Sequence, residues 1–413
     1  MKAVAHIDAN YFYGQIEALF RPDVRGKAFI VGGDQESRKG IVLTKSPSAK
    51  RMGVKTGSSV REALGINPNL IILPANYPLY LYFSQCMREI VLEHTDAIKP
   101  FGSDEMWCQL YGDREKILQT VHNIRQAIWT QLCLTVSIGV GNNLPYAKLG
   151  SDLASENGVF EAWNEHRERV VYPLPVSDLL YVGPQTTKRF HDRGIFTIGD
   201  LAKTEPKQVC RILKNRTGES LWAMAAGLDT TTVDHDVGAN AKSKSIGNSN
   251  TMRRDLVDDN DVQTAFYMLG ENVSRQMREE GYEATVLMIH WRDNELSTVS
   301  RQMRLPRPTS LTAEMVPAAM ELFKRHYNWH RPIRSLGIRG AELIPEKSVY
   351  QQISVFDDEQ RRDKLEAVER CVDRLRGRFG KYAVQRAVNL REKLKGVNAN
   401  NDPGDAPVFY VYR

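Results

Sequence analysis

Cysteine is scarce and scattered in this chain: five in 413 residues, Cys86, Cys108, Cys133, Cys210 and Cys371, with no C-x-x-C pair. An odd, widely spaced set argues against a disulfide framework and against zinc-ligand spacing, and it fits a reducing compartment. No apolar run approaches the roughly 20 residues that a membrane-spanning helix needs. The opening Met1-Lys2 leads into a short apolar strand rather than a signal peptide. A membrane is therefore not an expected partner, and the expected location is cytoplasmic. Internal repeats and low-complexity blocks are also missing, which excludes a solenoid.

What is present is an apolar content of 42%, ample for burial, in a chain too long for one ordinary core. Roughly two to four domains are expected. The formal net charge of +6 is compatible with a polyanionic partner without establishing one. Its distribution says more. From Leu296 to Ala313 there is no acidic residue, while Arg301, Arg304 and Arg307 fall close together. From Ala241 to Arg254 the only charges are Lys242, Lys244, Arg253 and Arg254. Such stripes are either solvated faces or tracks for phosphate.

Two short acidic motifs carry the chemistry. Asp8 ends the apolar run Val4-Ala5-His6-Ile7, and Asp104-Glu105 ends Phe101-Gly102-Ser103-Asp104-Glu105. Read singly, Asp8 is equally a turn or helix N-cap, and an Asp-Glu pair is common on solvated surfaces. Brought together by a fold, three carboxylates repel and call for a divalent cation. Hard oxygen ligands in small number suit Mg²⁺, which shares its coordination with substrate phosphates, so phosphoryl transfer is the chemistry expected.

Strands and helices alternate in the first region: a strand at Val4–Ile7, a helix from Gly14 to Leu19, strands near Ala28–Val31 and Gly40–Thr44, a strand at Met106–Leu110, a helix with Ile117, Val121, Ile124 and Ile128 on one face, and a β-rich run at Leu134–Val140. A split βαβ unit gives this order and can set Asp8 and Asp104-Glu105 on neighbouring central strands. A boundary follows at Tyr172-Pro173-Leu174-Pro175, then short helices to Leu228, an exposed linker near Thr230–Ser243, and an α+β segment from Ser245 to Ile344. A helix at Glu359–Phe379 and a polar tail close the sequence.

The segment His6-Ile7-Asp8-Ala9-Asn10-Tyr11-Phe12-Tyr13-Gly14 resembles the opening motif of the Y-family DNA polymerases, the lesion-bypass class, and further matches run collinearly to about residue 380. The resemblance implies an α+β, multidomain right-hand fold: palm at 1–10 and 75–165, fingers at 11–74, a helix-hairpin-helix thumb at 166–232, a linker at 233–243, an α+β little finger at 244–345 and a tail at 346–413. It implies template-directed, error-prone DNA synthesis past damage during repair and the SOS response. No segment is left over for an exonuclease, so proofreading is not expected. A non-catalytic DNA-binding mutagenesis adaptor on the same fold is the alternative, and loss of the acids would be its sign.

The same resemblance implies site roles. Asp8, Asp104 and Glu105 are the expected catalytic acids and, with the Ala9 carbonyl, the ligands of two Mg²⁺ ions beside a deoxynucleoside triphosphate. Tyr11 and Phe12 are expected to offer backbone N–H groups to the triphosphate, and Tyr13 to lie under the sugar as a steric gate; by periodicity alone these are core aromatics. Thr44, Lys50 and Lys148 are expected on phosphates, although Lys and Arg there also suit a solvated face. Gly183, Thr187 and Lys188 in the thumb, and Lys244, Ser245, Gly247, Arg253, Arg301 and Arg304 beyond it, are expected on DNA. Gln352-Ile353-Ser354-Val355-Phe356 fits the bacterial sliding-clamp-binding pattern, or else a structural strand or helix start. Primed template DNA, the clamp and other mutagenesis or recombination proteins are the expected partners. The chain departs from the family pattern at Asn10 for an Asp, at Gly102-Ser103-Asp104-Glu105-Met106 for the usual Ser-Ile-Asp-Glu-Ala with both acids kept, at Pro47 for a Tyr, at Lys50 for an Arg, and at Tyr181 for the first glycine of a Gly-x-Gly turn.

Overall fold

The computed structural model describes residues 1–33, 40–233, 243–346, 358–380 and 383–390. They divide into two compact units, one formed by residues 1–33 and 41–233, the other by the described residues from 243 onward.

The first unit is organised by the strands β1 (Lys2–Ala9), β5 (Ile98–Phe101), β6 (Glu105–Tyr111), β7 (Val136–Gly141) and β8 (Val159–Ala162), in the order β5-β6-β1-β7-β8. β1 lies at the centre, antiparallel to both β6 and β7. Its alternation decides its two faces. Ala3, Ala5, Ile7 and Ala9 join the main core with Ile117, Val121, Ile124 and Ile128 of α5 (Arg114–Leu132) and Met87, Ile90 and Val91 of α4 (Tyr77–Leu92). Val4 packs instead with Trp107 and with Leu144 and Ala147 of α6 (Leu144–Leu153). Asp8 and His6 share the parity of Val4, so the chemistry faces α6.

A second sheet, β3 (Val42–Lys45), β2 (Phe29–Gly32) and β4 (Ile71–Pro74), belongs to the expected fingers, with α1 (Phe12–Phe20), α2 (Pro47–Arg51) and α3 (Val60–Ile66). All of β2 is buried because both faces are covered: Phe29 and Val31 enter the main core beside Phe12 and Ile16, and Ile30 enters a smaller one with Val42, Ala49 and Val60. Five helices follow: α7 (Arg167–Val170), α8 (Pro184–His191), α9 (Ile198–Lys203), α10 (Pro206–Leu213) and α11 (Thr217–Ala226). Their core takes in Tyr146 and Leu149 of α6. Val233, at the start of the expected exposed linker, is instead buried against Trp107 and Leu144, where its apolar side chain leaves water.

In the second unit β9 (Ser245–Leu256), β10 (Tyr282–Asp293), β11 (Thr298–Thr309) and β12 (Ile333–Pro345) form an antiparallel sheet in the order β11-β10-β12-β9. Helices α12 (Asp259–Glu279) and α13 (Thr312–His326) cover it, with Phe266, Phe323, Leu287 and Trp291 in the core. Helix α14 (Glu359–Phe379) is tied on by charge: buried Arg278 reaches Glu369 at 2.7 Å and Asp373 at 2.8 Å. Among the described residues no helix is long and apolar enough to cross a membrane.

Candidate active site

The register of the central strands brings the two acidic motifs together. Asp8 pairs across the sheet with Glu105, and the Ala9 N–H donates to the Asp104 carbonyl at 2.9 Å. Gly102, at φ +83°, supplies the left-handed turn that delivers the acids to the head of β6. The Lys148 ammonium of α6 lies 2.8 Å from Glu105 Oε2, 3.0 Å from Asp152 Oδ1 and 3.1 Å from Asp8 Oδ2. Asp104 is turned against Gly102, where a Cβ would meet its Oδ1 at 3.4 Å.

Electrostatics mark the cluster as short of positive charge. Burial, and then the Asp8 charge, push the Asp104 carboxyl up to about 6. Burial pushes Glu105 up to about 7 even though Lys148 pulls the other way. Burial also works against the Lys148 ammonium, but Glu105 and Asp8 outweigh it and raise its pKa. An ammonium already fills the space between these carboxylates, so the donor set accepts a cation. Among the described residues, Asp8, Glu105 and His6 also place ligand atoms within 4.8 Å of one another. Hard carboxylate oxygens fit Mg²⁺.

His6, absent from the candidates read in the sequence, is fully buried on the same face. Its Nδ1 meets Ser151 Oγ at 2.7 Å, its ring lies 4.8 Å from that of Trp107, and its Nε2 is 3.5 Å from Glu105 Oε2. Burial holds its pKa well below the usual value, so the ring is neutral. Asp152 was missed too; its signal was the i,i+4 spacing from Lys148.

Tyr11 caps α1 in a left-handed conformation, φ 35° and ψ 45°. The leading N–H groups of any helix lack a partner within it, which here concerns Phe12 and Tyr13. Gly14 is required beside Tyr11, since a Cβ would approach its ring to 2.8 Å. The Tyr13 hydroxyl bonds Ser103 Oγ at 3.0 Å and its ring lies 4.6 Å from that of Tyr80, which pins it next to the acids. Asn10 has a structural explanation. Thr135 donates its hydroxyl proton to Gln15 Oε1, so Thr135 Oγ1 must accept from position 10, and an amide donates where a carboxylate cannot. Ser137 Oγ donates to the other end of the same amide at 2.9 Å.

Thr44 is buried on β3 beside Gly14, and Lys50 stands exposed on α2. No described hydrogen bond or ion pair joins either to the acids. Lys45, also missed in sequence, donates to Thr56 Oγ1 at 2.8 Å, and burial followed by the Lys50 charge lowers its pKa. Pro47 opens α2, where its lack of an N–H costs nothing.

In the helical part Gly183 is the N-cap of α8, Thr187 Oγ1 donates to its carbonyl at 3.1 Å, and Lys188 is exposed. Tyr181 sits at φ 69°, in the left-handed region where the glycine expected from the family pattern would be free of strain. In the second unit Lys244, Arg253, Arg301 and Arg304 are exposed, while Ser245 and Gly247 lie on β9 under Arg339. Arg339, a further candidate, donates to Ser245 Oγ at 3.1 Å. Arg307 is tied to Glu314 and Glu359. The clamp-pattern residues Gln352, Ile353, Ser354, Val355 and Phe356 lie outside the described residues.

Comparison with known proteins completes the site. The impB/mucB/samB family matches residues 7–152, and the C-terminal domain of that family matches residues 243–355. The chain is 39% identical to the DNA polymerase IV of Acetivibrio thermocellus over 95% of its length and 98% of that protein. It is 31% identical to DNA polymerase IV 1 of Bacillus subtilis over 97% of each. Among solved structures, a Y-family DNA polymerase chimera of Dbh and Dpo4 superposes with a TM-score of 0.73 at 20% identity, covering 83% of this chain and 100% of that one. A Dbh ternary complex has a TM-score of 0.58 at 20% identity, covering 83% and 99%.

Proposed function

The chain belongs to the impB/mucB/samB family of bacterial Y-family DNA polymerases, and from that premise we propose how its residues divide the work. It is a template-directed, lesion-bypass DNA polymerase that acts on primed DNA with divalent-metal-dependent nucleotidyl transfer. The adaptor alternative is set aside: relatives spanning nearly the whole chain are named as polymerases, and the acids are intact.

Asp8, Asp104 and Glu105, with the Ala9 carbonyl, would hold two Mg²⁺ ions, which when bound would supply Lewis-acid stabilisation of the primer 3′-oxygen and of the leaving pyrophosphate. Tyr11 and Phe12 present backbone N–H groups to the triphosphate at the positive end of α1. Tyr13, pinned by Ser103 and Tyr80, presents a ring that a ribose 2′-hydroxyl would strike. Thr44, Lys50 and Lys148 bind phosphate oxygens, Lys50 as a point charge rather than a bidentate fork. Gly183, Thr187 and Lys188 in the thumb (166–232) and the basic strands of the little finger (244–345) hold the DNA backbone without reading sequence. The pattern Gln352–Phe356 recruits the enzyme to the sliding clamp; its support is the sequence pattern.

The observation that carries this assignment is Asp8 opposite Glu105 with one ammonium shared between them. The test is extension of a primed template with Mg²⁺ and four deoxynucleotides, beside the Asp104→Ala/Glu105→Ala variant. Extension should fall about a thousandfold or more in the variant. Equal extension by both would refute the assignment of the acids.

A further inference from the structure

Lys148 has three ammonium protons and three carboxylate neighbours, Glu105, Asp152 and Asp8, at 2.8, 3.0 and 3.1 Å. Two of these acids are the proposed holders of the divalent ion; Asp152 is not. It lies one helical turn beyond Lys148 on α6, with a side chain 50% exposed at the rim of the cluster, whereas Lys148 itself is only 16% exposed. A divalent ion on Asp8 and Glu105 and an ammonium on the same oxygens repel each other strongly. The ammonium has to leave those two acids when the ion arrives, and Asp152 is the contact it can keep.

We propose that Asp152 is a positioning residue for nucleotidyl transfer. It anchors Lys148 at the rim, so that the ammonium passes from the Asp8 and Glu105 carboxylates, which it neutralises in the resting enzyme, to the triphosphate of the incoming nucleotide. The proposal rests on the assignment of Asp8 and Glu105 to the metal and of Lys148 to the phosphates. In the resting enzyme Lys148 then competes with the metal, and Asp152 weakens the competitor by drawing it outward.

An ordinary i,i+4 surface pair would have no such consequence. Removing the ammonium should tighten metal binding in the absence of nucleotide. Removing Asp152 should weaken it, because the ammonium is left with only Asp8 and Glu105. Loss of a nearby negative charge would also weaken metal binding by simple attraction at a distance, and the double variant separates the two causes. If Asp152 acts through Lys148, its removal has no effect once Lys148 is gone.

Mn²⁺ would be titrated into the full chain without DNA or nucleotide, with free Mn²⁺ read from its electron paramagnetic resonance amplitude. Lys148→Met should bind Mn²⁺ about tenfold more tightly than the unmodified enzyme and Asp152→Asn about threefold more weakly. The double variant should match Lys148→Met. Lys148→Gln, which keeps a polar side chain, serves if Lys148→Met does not fold. The proposal is overturned if Asp152→Asn binds as the unmodified enzyme does, or if it weakens binding equally with and without Lys148. An Asp8→Asn variant that binds Mn²⁺ undiminished would instead overturn the metal assignment on which the proposal rests.

Discussion

Two charge clusters in this molecule are built from similar side chains and differ in balance. In the second unit, Arg278, Arg376 and Arg386 face Glu271, Glu369 and Asp373, three charges of each sign among the described residues. Glu369 is almost fully used: it accepts from Arg278, from the Thr312 N–H and hydroxyl at 3.0 Å, and from the Ala313 N–H at 3.2 Å. In doing so it caps α13, whose own N-cap, Leu311, has no side chain to offer. In the first unit, Asp8, Asp104, Glu105 and Asp152 surround a single Lys148, with neutral His6 behind. The first cluster is closed and attaches a helix. The second keeps unmet demand for cations, and that demand is what a metal-dependent active site requires.

The comparison is sharpened by deleting one member of each cluster. Glu369→Ala leaves Arg278 buried beside a weakened partner set and exposes the N–H groups of α13, so the second unit should lose about 3–5 kcal/mol. Urea unfolding measures this, and a loss below about 1 kcal/mol would show that the network is not closed as described. Asp104→Asn should act in the opposite direction. It removes one like charge from an overfull site and should stabilise the metal-free enzyme by on the order of 1 kcal/mol, after allowance for the carboxyl's partial exposure. Differential scanning calorimetry should show a Tm higher by about 2–4 °C, in a protein that no longer extends primers.

The third effect is in pH. Asp104 and Glu105 have ordinary values of 3.8 and 4.5 and folded values of about 6 and about 7, so the folded state binds their protons more tightly than the unfolded one. Stability from this cluster is therefore fully present below about pH 4 and is lost as the pH rises towards 7. Metal-free enzyme should lose stability over that window, and saturating Mn²⁺ should remove the slope. The same protons compete with the ion, so Mn²⁺ affinity should fall as the pH drops from 8 to 6. A slope unchanged by Mn²⁺ would mean that the Asp8–Asp104–Glu105 cluster is not where the ion binds.

Much of this was legible before any coordinates. Alternation placed strands at Val4–Ile7 and Met106–Leu110, now parts of β1 and β6, and heptad-like spacing placed Ile117, Val121, Ile124 and Ile128 on one buried face of α5. The bounds of α14, Glu359–Phe379, were read directly from composition and period. Other features were not readable. Asn10 read only as a modest departure from the family's Asp, with no reason for it until its amide was seen between Thr135 and Ser137, residues that follow it by more than a hundred positions. Val233 looked solvent-exposed because the residues around it are polar, yet a cleft lined by Trp107 and Leu144 takes it in.

By itself the sequence determined what is local or collinear: which segments are strands or helices, which short motifs hold acids, and which family those motifs follow in order. Periodicity and motif order are properties of neighbouring residues, so one chain suffices to read them. Only the tertiary structure decided which charges meet. Asp8 faces Glu105 because an antiparallel register sets it there, Lys148 reaches both because α6 packs on that face, and Glu369 caps a helix that begins 57 residues earlier. Coulomb and hydrogen-bond energies depend on separations of a few ångströms between side chains far apart in sequence, and folding alone sets those distances.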